Sequence, residues 1–477
     1  MPQPLRVNNL VRTDSYKVTH WPQYPKDTRT VYSYLESRGG MFDQALVSMF
    51  QYYTKAYLEG KYFTEADIDY ARDFSAKHFG NPKLFNEAGW RSMLKKHGGR
   101  LPVLIKALPE GHLVEGHNCL MTIENTDPEF YWLTNWLETM MLKVWYPITV
   151  GTLSFNIRQV IGKALVRTGD PADLPFKLHD FGYRGVSSEE SAAIGGAAHL
   201  INFMGTDTQA SIELLRQFYG ADMPAYSIPA SEHSTMTAWG KENEQFAYAN
   251  MLDKYPEGLV ACVSDSYDIR NAVEKLWGGV LRERVNSRNG TLVIRPDSGD
   301  PVAVLADVFD ALEAKFGLDD SHLGTHKGWK VLSPRVRVIQ GDGVNFHTIQ
   351  NMVSQLTRKG WSMSNWGFGM GGALLQQLNR DTLRFAFKCS AIDRGGVWHD
   401  VWKDPVTDPG KTSQRGRFSV SFNGHRFVTS SYSDTIIHTG DMLRPIFKDG
   451  EVLTSHTLDD LRANAAKYDT YTTAAAP

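Results

Sequence analysis

From about residue 176 the chain alternates two kinds of stretch: short apolar or mixed runs that end in polar and glycine residues, and longer ones with apolar positions every three or four residues. The short runs end in KLHDFG, FMGTDT, YSIPASEH, ACVSDS, LVIRPDSGD, VRVIQGDG and WGFGMGG. Between them stand amphipathic stretches such as SYDIRNAVEKLW, PVAVLADVFDALEAKF and FHTIQNMVSQLTRKG. This βα alternation predicts an irregular parallel α/β barrel over residues 151–379. The flanks read differently. Residues 1–150 mix strand-like runs (RTVYSYLE, LPVLIKALPEGHLV, CLMTIEN) with helical ones, and beyond 380 strand-like runs such as GRFSVSFNGHRFVTSSY return. The expected fold class is α/β: a barrel packed with one α+β domain that the N-terminal segment, 1–150, and the C-terminal segment, 380–477, build together.

The chain has 477 residues, 42% of them hydrophobic, enough for a large core. Its formal charge of −2 supplies no global field for nucleic acid or an anionic membrane, so partners are to be sought at a site. Cys119, Cys262 and Cys389 are odd in number and far apart. They suit neither a disulfide framework nor a thiolate zinc site, and a reducing cytoplasm is the expected compartment. The N-terminus lacks the apolar core of a signal peptide, and the most apolar later stretch is interrupted by Lys143, so no membrane span is expected.

Parallel α/β folds gather the carboxyl ends of their strands on one face, where ligands bind. Here those ends carry His179, Asp180, Asp207, Glu232, His233, Asp265, Asp297 and Asp342, with Arg184 and Arg295 close by. Helix capping is the plain use of an aspartate at such a junction, worth ~1 kcal/mol. Asp300 before Pro301 is the better cap of its helix, which leaves Asp297 spare. Asn345 can cap in place of Asp342, and Ser187 with Glu190 offers a capping box that leaves Asp180 spare. For Asp207 and Asp265, spacing alone leaves capping and chemistry both open.

Spare carboxylates beside arginines suit Mg²⁺ and phosphate, because Mg²⁺ takes one or two carboxylates plus phosphate oxygens and arginine grips phosphate in bidentate fashion. The glycine loops GDG (341–343) and GFGMGG (367–372) follow the last two candidate strands, where barrels commonly bind phosphate. GFGMGG closes the βα series rather than opening it, against a dinucleotide fingerprint. DPGKTS lacks the first glycine of a P-loop, since position 405 is proline. HExxH, EF-hand and GxSxG motifs do not occur.

With these residues assembled, the chain resembles the nicotinamide phosphoribosyltransferases of the type II phosphoribosyltransferase family. The resemblance runs through TDSYKVTH (13–20), ENTDPEFYWLTNWLET (124–139), KLHDFGYRGVSS (177–188), GTDT (205–208), EHSTMTAWGK (232–241), VSDSYD (263–268), IRPDSG (294–299), VIQGDG (338–343) and WKDPVTDP (402–409). It implies a homodimer with active sites at the interface. The reaction would join nicotinamide to phosphoribosyl pyrophosphate, forming pyrophosphate and nicotinamide mononucleotide, a precursor of NAD. It also implies that Phe181 stacks on one face of the nicotinamide ring and Tyr16 of the partner subunit on the other. Asp207 would accept the carboxamide N–H, with Ser227 among the substrate contacts.

The resemblance further places Arg295, Asp297, Gly341, Asp342, Gly371 and Gly372 at the ribose phosphate and nucleotide. Asp265, Asp297 and Asp342 fall at the magnesium–pyrophosphate assembly and, with His233, form the catalytic set. Arg184, His179, Arg38, Arg380, Lys388, Lys403 and Lys411 fall at pyrophosphate or at ATP, the co-substrate. A lone junction histidine is by default a satisfied structural residue. The resemblance makes His233 the residue phosphorylated by ATP, at a helix N-terminus that favours neutral imidazole and attracts phosphate, with Glu232 expected to orient the ring. Two other readings remain open. One is a nicotinate or quinolinate phosphoribosyltransferase, which needs a cation where Asp207 stands; the other is a non-catalytic interaction protein on the same scaffold.

Overall fold

The strand-like runs of the two flanks pair into a single sheet. In the computed structural model, which describes residues 7–319, 328–407, 412–432 and 440–471, this sheet has seven strands. Their order is Val397–Asp400, Ala386–Arg394, Thr28–Glu36, Cys119–Asn125, Val103–Ala107, Arg444–Lys448 and Glu451–Val452, antiparallel throughout. Thr28–Glu36 from the N-terminal flank lies between Ala386–Arg394 from the C-terminal flank and Cys119–Asn125, so neither flank can complete the sheet alone. The first compact unit gathers Met1–Thr152, Phe218–Gly220 and Asn379–Ala465.

The second unit comprises Leu153–Gln217, Ala221–Leu378 and the segment beginning at Ala466, which the sequence pattern grouped with the first. Its six parallel strands are β1 (Leu178–Asp180), β2 (Gly205–Thr206), β3 (Glu257–Val263), β4 (Asn289–Arg295), β5 (Val336–Gln340) and β6 (Trp366–Met370), in the order β2-β1-β6-β5-β4-β3. Residues of the seventh expected strand, YSIPASEH, span the remaining gap by isolated bridges only. Tyr226 pairs with Gly205 and Ala230 with Ala261. Pro229 has no N–H to give, although its carbonyl accepts from Ala261 N at 2.9 Å, so a continuous ladder cannot form there. The sheet therefore curls into an irregular barrel. Buried side chains on its strands include Val260, Cys262, Leu292, Ile294, Val336, Val338 and Phe368.

Helix caps fall close to where the sequence put them. Asp300 Oδ1 accepts from Ala303 N at 2.8 Å ahead of the helix Pro301–Phe316, and Asn345 caps Phe346–Arg358. Asp268 caps Ile269–Asn271, which releases Asp265 from that task. The helix Glu189–His199 is capped by Ser188 rather than Ser187, one residue later than its spacing suggested. Cys119, Cys262 and Cys389 are free thiols, and among the described residues no helix is long and apolar enough to cross a membrane.

Candidate active site

The tips of the barrel strands open into a cavity of 930 Å³ lined by Phe181, Tyr183, Arg184, Gly185, Asp207, Glu232, His233, Ser234, Arg295, Asp297, Gly341, Gly371 and Gly372. Short backbone bonds between neighbouring tips fix its rim. Phe181 N donates to Met370 O at 3.0 Å, Asp207 N to Asp180 O at 2.9 Å, and Ser264 N to Arg295 O at 3.0 Å. Asp180, counted among the converging acids in the sequence, is fully buried and turns away from the mouth. Its Oδ1 accepts from Gly182 N at 2.7 Å and its Oδ2 from Thr206 Oγ1 at 3.3 Å, which ties the β1 and β2 tips together. Burial pushes its carboxyl above the usual range.

The Phe181 ring occupies a notch that Gly369 leaves open, with Gly341 at ordinary contact distance beside it. A Cβ built on Gly369 would stand 1.8 Å from Phe181 Cε2, and one on Gly341 would stand 3.5 Å from the same atom. The His179 ring packs against Phe181 with centroids 5.2 Å apart. His179, expected at phosphate, therefore lies at the aromatic end, where its Nε2 is 2.9 Å from Asp207 Oδ1. Ser227 Oγ donates to the same oxygen at 2.6 Å. Burial tends to raise the Asp207 carboxyl, but His179, Ser227 and the Arg295 charge outweigh it and hold the group below the usual carboxylate range. Capping, open for Asp207 in the sequence, is not what its side chain does.

Beyond the β3 and β4 tips the acids are linked through Asp265, whose side chain is nearly buried. Its Oδ1 lies 3.0 Å from His233 Nε2, while Oδ2 accepts from Asp297 N at 3.0 Å and Ser298 Oγ at 2.6 Å. Asp265, 32 residues further along the chain, thus orients the His233 ring. Glu232 instead caps its own turn, with a hydrogen bond from Ser234 Oγ. The helix beginning at His233 has five residues, so the dipole expected to assist the histidine is that of about one turn. Asp297 is pushed above the usual carboxylate range, first by burial and then by Asp265 and Asp342, against the pull of Arg295 at 3.7 Å and of His233. Arg295 Nε is buried without a hydrogen-bond partner among the described residues, an orphaned donor in a wall that fits an anion.

Asp342 is exposed on the Gly341–Gly343 loop, next to the cavity lining rather than in it. Among the described residues no group of three His, Cys, Asp or Glu could hold a metal by itself. That fits Mg²⁺, which takes one or two carboxylates and fills its shell with phosphate and water. Asp265 already accepts at both oxygens, so Asp297 and Asp342 are the freer donors.

The remaining expected residues belong to the first unit. Tyr16 is 59% exposed, with Lys17 Nζ 5.4 Å from its ring centroid. Arg38, Arg380, Lys388 and Lys403 line a separate cavity of 430 Å³ together with Arg384, Glu138 and Asp381. Burial first, with the charges of Lys403, Arg38 and Arg380, depresses Lys388 against the opposing pull of Glu138. Lys411 lies outside the described residues. Sequence reasoning did not single out Gly369, Tyr183, Gly185, Ser234 or Ser298. The spacing of Gly367 and Gly369 in WGFGMGG, two small residues on one face of a strand, was the available signal for Gly369.

Residues 176–451 match the sequence profile of the nicotinate phosphoribosyltransferase (NAPRTase) family, and residues 8–105 match that of a nicotinamide phosphoribosyltransferase N-terminal domain. The chain is 47% identical over 470 residues to the nicotinamide phosphoribosyltransferase of Xanthomonas campestris pv. campestris (strain 8004), covering 96% of this chain and 98% of that one. It is 31% identical over 495 residues to the protein of the same name from Acinetobacter baylyi (strain ATCC 33305 / BD413 / ADP1), covering 97% and 98%. Among solved structures, nicotinate-nucleotide pyrophosphorylase from Pyrococcus furiosus superposes with a TM-score of 0.60 at 13% identity, covering 99% of each chain. Human nicotinic acid phosphoribosyltransferase superposes with 0.55 at 15% identity, covering 95% of this chain and 93% of that one. These two likenesses establish the fold.

Proposed function

The chain belongs to the nicotinate phosphoribosyltransferase family, and we propose that its strand-tip cavity joins nicotinamide to phosphoribosyl pyrophosphate, forming nicotinamide mononucleotide and pyrophosphate. The observation that carries the choice of base is Asp207. An ionised carboxylate stands at the aromatic end of the cavity, where an amide offers a donor and nicotinate would bring a second negative charge. A nicotinate-specific site would need a cation there. The relatives' names favour the same base.

In the proposed mechanism Phe181 stacks on the pyridine ring and Asp207 accepts from its carboxamide, which aims the ring nitrogen at the ribose. The nitrogen lone pair forms the new N–C bond as the bond from the ribose to the pyrophosphate oxygen breaks. The electron pair leaves with pyrophosphate, the ring becomes a pyridinium, and no proton has to move. Positive charge develops on the ribose, where carboxylates such as Asp297 stabilise it, while Arg295 and Arg184 receive the leaving group. Asp297 and Asp342 would hold Mg²⁺, which would supply Lewis-acid stabilisation of the pyrophosphate.

Two further parts of the proposal concern ATP and the assembly. Asp265 holds the His233 ring by its Nε2 at 3.0 Å, and His233 would take a phosphoryl group from ATP, the new N–P bond forming as the bond to the departing ADP oxygen breaks. We place Tyr16 of the partner subunit, together with that subunit's cationic cluster, at this cavity in a homodimer. The exposure of Tyr16 supports that placement.

Asp207→Asn tests the choice of base. The kcat/KM ratio of nicotinamide to nicotinate is expected to fall at least ~10-fold, and an unchanged ratio would remove Asp207 from the role. In the same assay, His233→Ala should abolish the increment that ATP adds; full ATP stimulation in that variant would refute the phosphohistidine.

A further inference from the structure

We propose that His179 is a positioning residue for base selection: with Ser227 it locks one oxygen of Asp207 and presents the other oxygen to the substrate amide. This rests on the reading of Asp207 given above and extends it to a residue that does not line the cavity.

Both donors meet the same atom. His179 Nε2 at 2.9 Å and Ser227 Oγ at 2.6 Å share Asp207 Oδ1, and among the described residues no donor reaches Oδ2. Two donors from different directions fix the plane of the carboxylate, and its free oxygen is left for a ligand. The imidazole itself has little room to swing. It packs on the Phe181 ring at 5.2 Å, and a Cβ on Gly205 would come within 2.7 Å of its Nδ1. His179 thus couples the ring seat to the amide acceptor, and its own side chain is only 14% exposed.

The charged groups around Asp207 are few. His179 comes from the β1 tip and Arg295 from β4. Asp180 offers only its backbone carbonyl, its carboxylate being turned to Gly182 and Thr206. Burial drives Asp207 toward protonation, and the His179 contact is the strongest influence against it. Without that contact, Asp207 would take up a proton at a higher pH. As a neutral acid it could donate to a carboxylate substrate, and the discrimination against nicotinate would fade as pH falls.

The test measures kcat/KM for nicotinamide and for nicotinate across a pH series in the wild type, His179→Ala, His179→Gln and Ser227→Ala. In His179→Ala the amide-to-acid ratio should drop about tenfold, the worth of one hydrogen bond to a charged group. Its decline with falling pH should begin at a higher pH than in the wild type. His179→Gln, which keeps an N–H donor, should recover most of the ratio, and Ser227→Ala should shift the profile in the same direction as His179→Ala. A ratio and pH profile unchanged in His179→Ala would overturn the proposal while leaving the Asp207 reading intact. A wild type with no amide preference would instead overturn that reading. Should His179→Ala fail to fold, the profiles of His179→Gln and Ser227→Ala decide the matter, and two profiles identical to wild type would again overturn it.

Discussion

Exchanging Asp297 for asparagine is expected to lower kcat by a factor on the order of 10²–10³ and to raise the thermal unfolding midpoint. The two effects share one cause. Asp297 is a half-buried carboxylate beside Asp265 and Asp342, with Arg295 at 3.7 Å as partial compensation. Such a charge is held against the fold's own preference, where ribosyl positive charge and Mg²⁺ are to be stabilised. Asparagine keeps the shape and removes the repulsion. The sign of the pH dependence follows. An acid raised in the folded state binds its proton more tightly folded than unfolded, so stability is lost as pH rises past the free carboxylate's ~3.9. In metal-free buffer the variant's gain in midpoint should therefore be present at neutral pH and vanish as pH falls below that value. Turnover close to wild type, or a lowered midpoint at neutral pH, would contradict this role.

Gly369→Ala is expected to raise the KM for nicotinamide about tenfold or more, the KM for phosphoribosyl pyrophosphate changing little. The new Cβ would stand 1.8 Å from Phe181 Cε2 and 2.3 Å from Cδ2, so the ring must leave its notch. Overpacking of this kind costs ~1–3 kcal/mol. Because Phe181 lines the cavity, a displaced ring takes up the space of the base. A double-mutant cycle separates this from general damage. If the methyl acts through the ring, Gly369→Ala added to Phe181→Ala should cost little beyond the loss of stacking, ~0.5–1.5 kcal/mol. Fully additive losses would mean that Gly369 acts elsewhere.

Much of the barrel was legible because local chemistry and global fold agree at its junctions. Pro301 announced Asp300 as a cap and Asn345 replaced Asp342, and the two acids these caps left over, Asp297 and Asp342, stand at or beside the cavity. What the sequence hid are contacts made through space. The partner of His233 was sought in the adjacent Glu232, but the ring is held by Asp265 from another strand tip. Asp180, spare by spacing, is used up by its own loop. His179 pointed to phosphate by resemblance, yet packing puts it behind Asp207. The YSIPASEH run looked like a strand by its apolar pattern, and Pro229 reduced it to single bridges.

The choice of base is tested most directly by competition. The enzyme is given phosphoribosyl pyrophosphate, Mg²⁺ and equal concentrations of nicotinamide and nicotinate, with and without ATP, and the mononucleotide formed is identified by mass. Nicotinamide mononucleotide is expected as the main product; nicotinate mononucleotide as the main product, or no mononucleotide at all, would contradict the reaction assigned to this cavity.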